Sequence, residues 1–131
     1  MYIKINLLFI LFSVVFGQFG QNIVQYDDFE WYFIQTEHFD VYYSDIGRRN
    51  AEFTAEESEK AYVKLSEYMD WHLKERISII VYNSHNDFQQ TNVIDSYMYE
   101  GIGGVTELFK NRMVIPFDAS NIEFKNVIFH E

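Results

Sequence analysis

The sequence predicts a mixed α+β domain, and three observations carry that expectation. Short segments rich in aromatic and β-branched residues recur along the chain, the composition favoured on a pleated, half-buried surface. A single long stretch of helical periodicity separates the second segment from the third. Aromatic residues make up 19% of the 131 positions, far more than a disordered chain carries, so a packed core is intended. The predicted order is β-β-α-β-(short α)-β-β-α, giving a mixed sheet with a long packing helix and a C-terminal helix. At this length one domain is the upper limit.

The chain opens with an export address. One cation, Lys4, precedes an almost unbroken apolar run over residues 7–16, and Val15-Phe16-Gly17 places small or β-branched side chains before a cut ahead of Gln18. Residues 1–17 therefore read as a signal peptide and 18–131 as the mature chain, bound for the periplasm, the outer envelope or the medium. The run is shorter than the roughly 20 residues of a stable membrane span, the alternative being a retained N-terminal anchor. A formal charge of −10 argues against binding a nucleic-acid backbone. The absence of cysteine removes thiol catalysis, disulfides and thiolate zinc sites.

After a polar lead-in over residues 18–28, Trp31-Tyr32-Phe33-Ile34-Gln35 and His38-Phe39-Asp40-Val41-Tyr42-Tyr43 form two strands or a hairpin around Thr36-Glu37. Period-two alternation puts Phe39, Val41 and Tyr43 on one face and His38, Asp40 and Tyr42 on the other, where His38 reads as a hydrogen-bonded strand histidine. From Arg48 to about Asp70, Ala51, Ala55, Ser58, Tyr62, Leu65 and Met69 recur at steps of four and three, the stripe of a helix packed on a sheet. Glu52, Glu56, Glu57 and Glu59 read as its solvated face, favoured by the positive end of the helix dipole.

Ile77-Ser78-Ile79-Ile80-Val81-Tyr82 has the composition of a buried central strand. Asn83 to Asp87 is turn chemistry, with Ser84 or Asn86 able to cap a short helix through Phe88-Gln89-Gln90-Thr91, which accounts for His85 and Asp87 without a metal. The glycines of Glu100-Gly101-Ile102-Gly103-Gly104 do not have phosphate-loop or dinucleotide spacing and signify backbone freedom. Val105 to Phe109 and Met113 to Phe117 then flank Lys110-Asn111-Arg112 as an antiparallel hairpin, with Pro116 marking an edge or a strand end. A glycine-led edge strand at Gly104, Val105 and Thr106 could receive an extended peptide by β-addition, or the hairpin could simply finish the sheet.

The last helix carries the chemistry. Ser120 and Glu123 have capping-box spacing, fixing a start near Asn121, and Phe124, Val127, Ile128 and Glu131 follow on one face with His130 offset beside it. The terminal His130-Glu131 reads as the first half of HExxH, in which histidines one turn apart reach one metal ion and the glutamate serves as general base.

Three strings, residues 29–40, 82–92 and 101–107, resemble the N-terminal part of exported bacterial peptidases of the MA-like gluzincin group. The resemblance spans essentially the whole mature chain. It implies a thermolysin-like zinc hydrolase acting on peptide or protein substrates, with His130 as first metal ligand and Glu131 as general base. In such proteins a TolB-like β-propeller commonly follows the peptidase domain. The second histidine and the downstream glutamate of that family have no counterpart in this sequence. Zinc would thus need ligands missing from this chain, and the chain alone is expected to be an inactive, truncated part of the domain. A second expectation, from another class, is a non-catalytic exported module whose acidic, aromatic surface binds a protein partner.

Overall fold

The computed structural model describes residues 26–93, 101–118 and 120–131. Residues 1–17, expected to be a signal peptide, most of the polar lead-in and Glu100 lie outside them. Among the described residues five strands and three α-helices follow one another as β1 (Trp31–Gln35), β2 (Phe39–Ser44), α1 (Arg48–Met69), β3 (Ile77–Tyr82), α2 (His85–Phe88), β4 (Val105–Glu107), β5 (Arg112–Pro116) and α3 (Asn121–His130). The strands form one sheet in the order β1-β2-β3-β5-β4. Its three inner strands run parallel, while β1 and β4 lie antiparallel at the two edges. The sheet is therefore mixed, with α1 connecting β2 to its parallel neighbour β3, and the α+β class holds.

The pleat sorts the side chains into two cores. Phe39, Val41, Tyr43, Ile79, Val81, Met113 and Ile115 point to the face covered by α1 and α3, where they meet Ala51, Ala55, Phe124 and Ile128. On the opposite face Tyr82 and Val114 pack with Phe88 of α2. Val41, Ile79, Val81 and Ile115 have no accessible surface, so the helix-covered core supplies most of the hydrophobic drive. Small residues on α1 permit its close approach: Ala51, Thr54, Ala55, Ser58 and Ala61 are all buried.

Four local expectations are corrected. Leu65 and Met69, expected to close the buried stripe of α1, are 36% and 67% exposed, because they line an open groove with Phe39, Ile77 and Phe129 instead of a closed core. Glu57, expected in solvent, is buried against α3. The short helix starts at His85 under a Ser84 cap, one of the two caps expected, with Ser84 Oγ accepting the Asp87 N–H, but it ends at Phe88 instead of running through Thr91. The hairpin connection is longer than three residues: Leu108–Lys110 forms a 3-10 turn, and Asn111 adopts φ 48° before β5 begins at Arg112. Asparagine tolerates that left-handed geometry, and Leu108 and Phe109 leave the ladder to stand 80% and 102% exposed. Pro116 ends β5, consistent with its missing donor.

Candidate active-site edge

The position of His130 and Glu131 is set by α3. Ser120 Oγ accepts the Glu123 N–H at 3.3 Å, while the Ser120 N–H goes to Asp118 O at 2.7 Å rather than to the Glu123 carboxylate, so half of the expected capping box forms. Phe124 (2% exposed) and Ile128 (4%) then anchor the helix in the core, with Phe124 edge-on to Phe117 and stacked on Phe53. The Glu131 N–H still bonds to Val127 O at 3.0 Å, so the helical path continues through the pair. As the spacing predicted, Val127 and Glu131 are half-buried on the core side and His130 is exposed beside them.

The register also brings Glu131 against β4. Thr106 Oγ1 donates to Glu131 Oε2 at 2.6 Å and lies 3.3 Å from the Glu131 backbone oxygen. A methyl group on Gly104 would stand 3.0 Å from Glu131 Cγ and from Oε1, and equally close to Ile115 Cγ2. A Cβ here would press on the Glu131 side chain and on Ile115, which would have to give by a few tenths of an ångström. An open concavity of about 520 Å³ lies alongside, lined by Ile102, Gly103, Gly104, Asn126, Val127, His130 and Glu131. The residues singled out from sequence, His130, Glu131, Gly104, Val105 and Thr106, thus gather at one sheet edge. Val105 alone turns away, packing with the second core opposite Val114.

On the other side of Glu131 an apolar groove of about 180 Å³ runs between α1 and α3 past Leu65, Met69, Trp71, Ile128 and Phe129. The hairpin that carries β4 is fastened by Glu107, whose carboxylate meets Lys110 Nζ at 2.8 Å and Arg112 Nη2 at 2.5 Å. Hydrogen bonds from Lys110 and Arg112 hold its pKa below the ordinary carboxylate value.

Two further ionic contacts were not legible in the sequence. Glu57, 8% exposed, accepts from Lys125 of α3 at 2.7 Å and from Lys60 at 2.9 Å, and these bonds lower its pKa despite burial. It ties α3 to α1. Steps of three and four through Thr54, Glu57 and Ala61 were the available signal. His38 precedes β2 rather than lying in it, and bends towards α1. Its backbone N–H and Nδ1 meet the two oxygens of Glu59 at 2.9 and 2.7 Å, and its ring stacks on Tyr62 at 3.8 Å. Burial opposes ionisation of Glu59, but bonds from Thr36 and His38 outweigh it and lower the pKa. His38 is hydrogen-bonded as expected, though on the helix side of the sheet.

A catalytic zinc takes three protein ligands and a water. Among the described residues no three histidine, aspartate or glutamate side chains stand together in a metal-binding group. His130 is one donor at the end of a helix, so the described residues do not themselves complete a zinc centre. Nor is any helix among them long and apolar enough to cross a membrane. No family model matches this chain, and no curated protein or solved structure is similar to it.

Proposed function

We propose that this chain forms the N-terminal part of an exported zinc-dependent peptidase domain, with His130 as its first metal ligand and Glu131 as its general base. The observation that carries the reading is the meeting of helix and edge: the His130-Glu131 pair stands beside the strand end at Gly104-Val105-Thr106, with Glu131 bonded to Thr106. Hydrolysis of a peptide requires a base within reach of the attacking water and a surface that holds the substrate extended. Glu131 is the base in this reading. The outer backbone of β4, at the end of the sheet, offers pairing groups to a peptide strand a few ångströms away. His130 would hold zinc together with ligands supplied from outside this chain, and the metal would then contribute Lewis-acid activation of carbonyl and water. The isolated chain is inactive in this reading, because one imidazole does not hold zinc for catalysis. Export follows from the leader-like N-terminus, and the negative charge leaves no role for nucleic acid.

The decisive experiment reads the coding sequence beyond Glu131 and expresses the longer protein. A histidine three residues after Glu131 and a glutamate about twenty residues further on are expected. The longer protein should bind one zinc and cleave an unstructured peptide. His130→Ala should lose both properties, and Glu131→Gln should lose cleavage while retaining zinc. A stop codon directly after Glu131, or a longer protein without zinc, refutes the proposal. Those outcomes would favour the second reading, a protein-binding module, to which the exposed Trp31, Tyr32 and Phe33 of the opposite edge strand lend their apolar surface.

A further inference from the structure

Resting on the reading above, we propose that Thr106 is a positioning residue for Glu131, and that Gly104 forms the opposite wall of the same seat. The strand geometry puts both on one side. Positions 104 and 106 share a face because side chains alternate along an extended chain, and Thr106 pairs with Met113, whose side chain belongs to the helix-covered core. Val105 faces the other way, so the stretch presents a hydrogen atom at 104 and a hydroxyl at 106 to the end of α3.

The two positions act on different parts of one carboxylate. The Thr106 hydroxyl donates to Oε2 at 2.6 Å, within the range of a charge-assisted O–H···O⁻ bond. Oε1 and Cγ lie 3.0 Å from where a Gly104 methyl would be, so the Glu131 side chain sits in space that any larger residue at 104 would crowd. A glutamate side chain ordered at a helix end gives up rotamer freedom, a cost that the charge-assisted bond from the Thr106 hydroxyl offsets. A base aimed before substrate arrives needs no rearrangement in the reacting complex. Threonine suits the task because branching at Cβ stiffens χ1 and satisfies the strand, while its hydroxyl supplies the donor. Thr106 acts through Glu131 and not on the peptide. The backbone of the same residue remains on the sheet edge for substrate pairing.

The test is NMR of the 131-residue chain without metal or peptide, so that failure of the peptidase reading and failure of this inference are separate results. Three-bond couplings give the rotamer distribution of Glu131, and nuclear Overhauser contacts report its distance from residue 104. In the wild type and in Thr106→Ser, one dominant rotamer with contacts to residue 104 is expected. Thr106→Val keeps the shape and removes the donor, and should move Glu131 towards the roughly even mixture of staggered wells of a free side chain. Gly104→Ala should displace the same side chain from the other side, and decides the matter should Thr106→Val not fold. Unchanged Val41 and Ile79 resonances would separate these effects from loss of the fold. An averaged Glu131 in the wild type overturns the inference. So does a Thr106→Val or Gly104→Ala spectrum identical to it, or a Thr106→Ser chain that behaves as the valine variant.

Discussion

Truncating Ile128 to alanine tests whether the face of α3 that orients His130 and Glu131 is the face described. Ile128 is 4% exposed and packs in the core with Phe124, Met113 and Ile115. The substitution removes three carbons, worth about 0.8 kcal/mol each in transfer alone, or about 2.4 kcal/mol. The cavity left under a helix held on both sides adds about 1 kcal/mol, giving a loss of about 3.5 kcal/mol. For a domain of this size each kcal/mol moves the melting midpoint by about 3–6 °C, so a fall of about 10–20 °C is expected. The neighbouring residue is the control. Phe129 is 42% exposed, with Lys64 Nζ 5.2 Å above its ring, and a gap left by its removal opens to solvent. Phe129→Ala should therefore lose about 1 kcal/mol or less although it deletes more atoms. Thermal and urea unfolding of both variants measure the contrast. Equal losses, or a larger loss at Phe129, would mean that α3 is rotated about its axis from the position described, and the contact between Glu131 and Thr106 would fall with it.

Glu57→Gln should cost about 1 kcal/mol near neutral pH, a modest figure because Lys60 and Lys125 are both solvent-screened. The folded-state pKa of Glu57 is depressed, so its contribution is present above the ordinary value of 4.5 and lost as pH falls through the folded value; the difference in melting midpoint between wild type and variant should close on acidification below 4.5. Gly47→Ala places a methyl 2.6 Å from Asn83 Oδ1 and must displace that side chain from Ser44 Oγ, which it bonds at 2.8 Å; a loss of about 1 kcal/mol is expected, measurable by urea unfolding and largely absent in a Ser44→Ala background. Leu108→Ser and Phe109→Ser should each leave stability within about 0.5 kcal/mol of wild type in the same assay, since neither side chain is covered.

The strands, the long helix and the start of α3 were legible because each rests on a local signal: period-two alternation, steps of three and four, and a serine before a helical run. The helix face of Phe124 and Ile128, with His130 outside it, followed from the same periodicity. What escaped depends on partners distant in sequence. Glu57 shares the spacing of Thr54 and Ala61, but the partner that makes a buried carboxylate tolerable, Lys125, arrives from another helix, and His38 could not be placed on the helix side without Glu59, both long-range ionic contacts. Leu65 and Met69 matched the stripe as well as Ala51 did, but periodicity does not say where the cover over a helix face gives way to an open groove. At the candidate edge, the sequence singled out Gly104 and Thr106 for peptide backbone pairing. The side-chain contact with Glu131 required the pairing of β4 with β5, which places residue 106 beside 113 and so beneath the end of α3.

The chain contains two tryptophans, and they lie in different places: Trp31 on the outer strand against Tyr82, Trp71 on the lip of the groove between the two long helices. Trp71 is 56% exposed, so its indole emits largely from water. Replacing Trp31 by phenylalanine would leave a single intrinsic fluorophore beside that trough. Anything that settles over Leu65, Met69 and Phe129 would dehydrate it and shift its emission to the blue, giving occupancy of the groove an optical readout that needs no label.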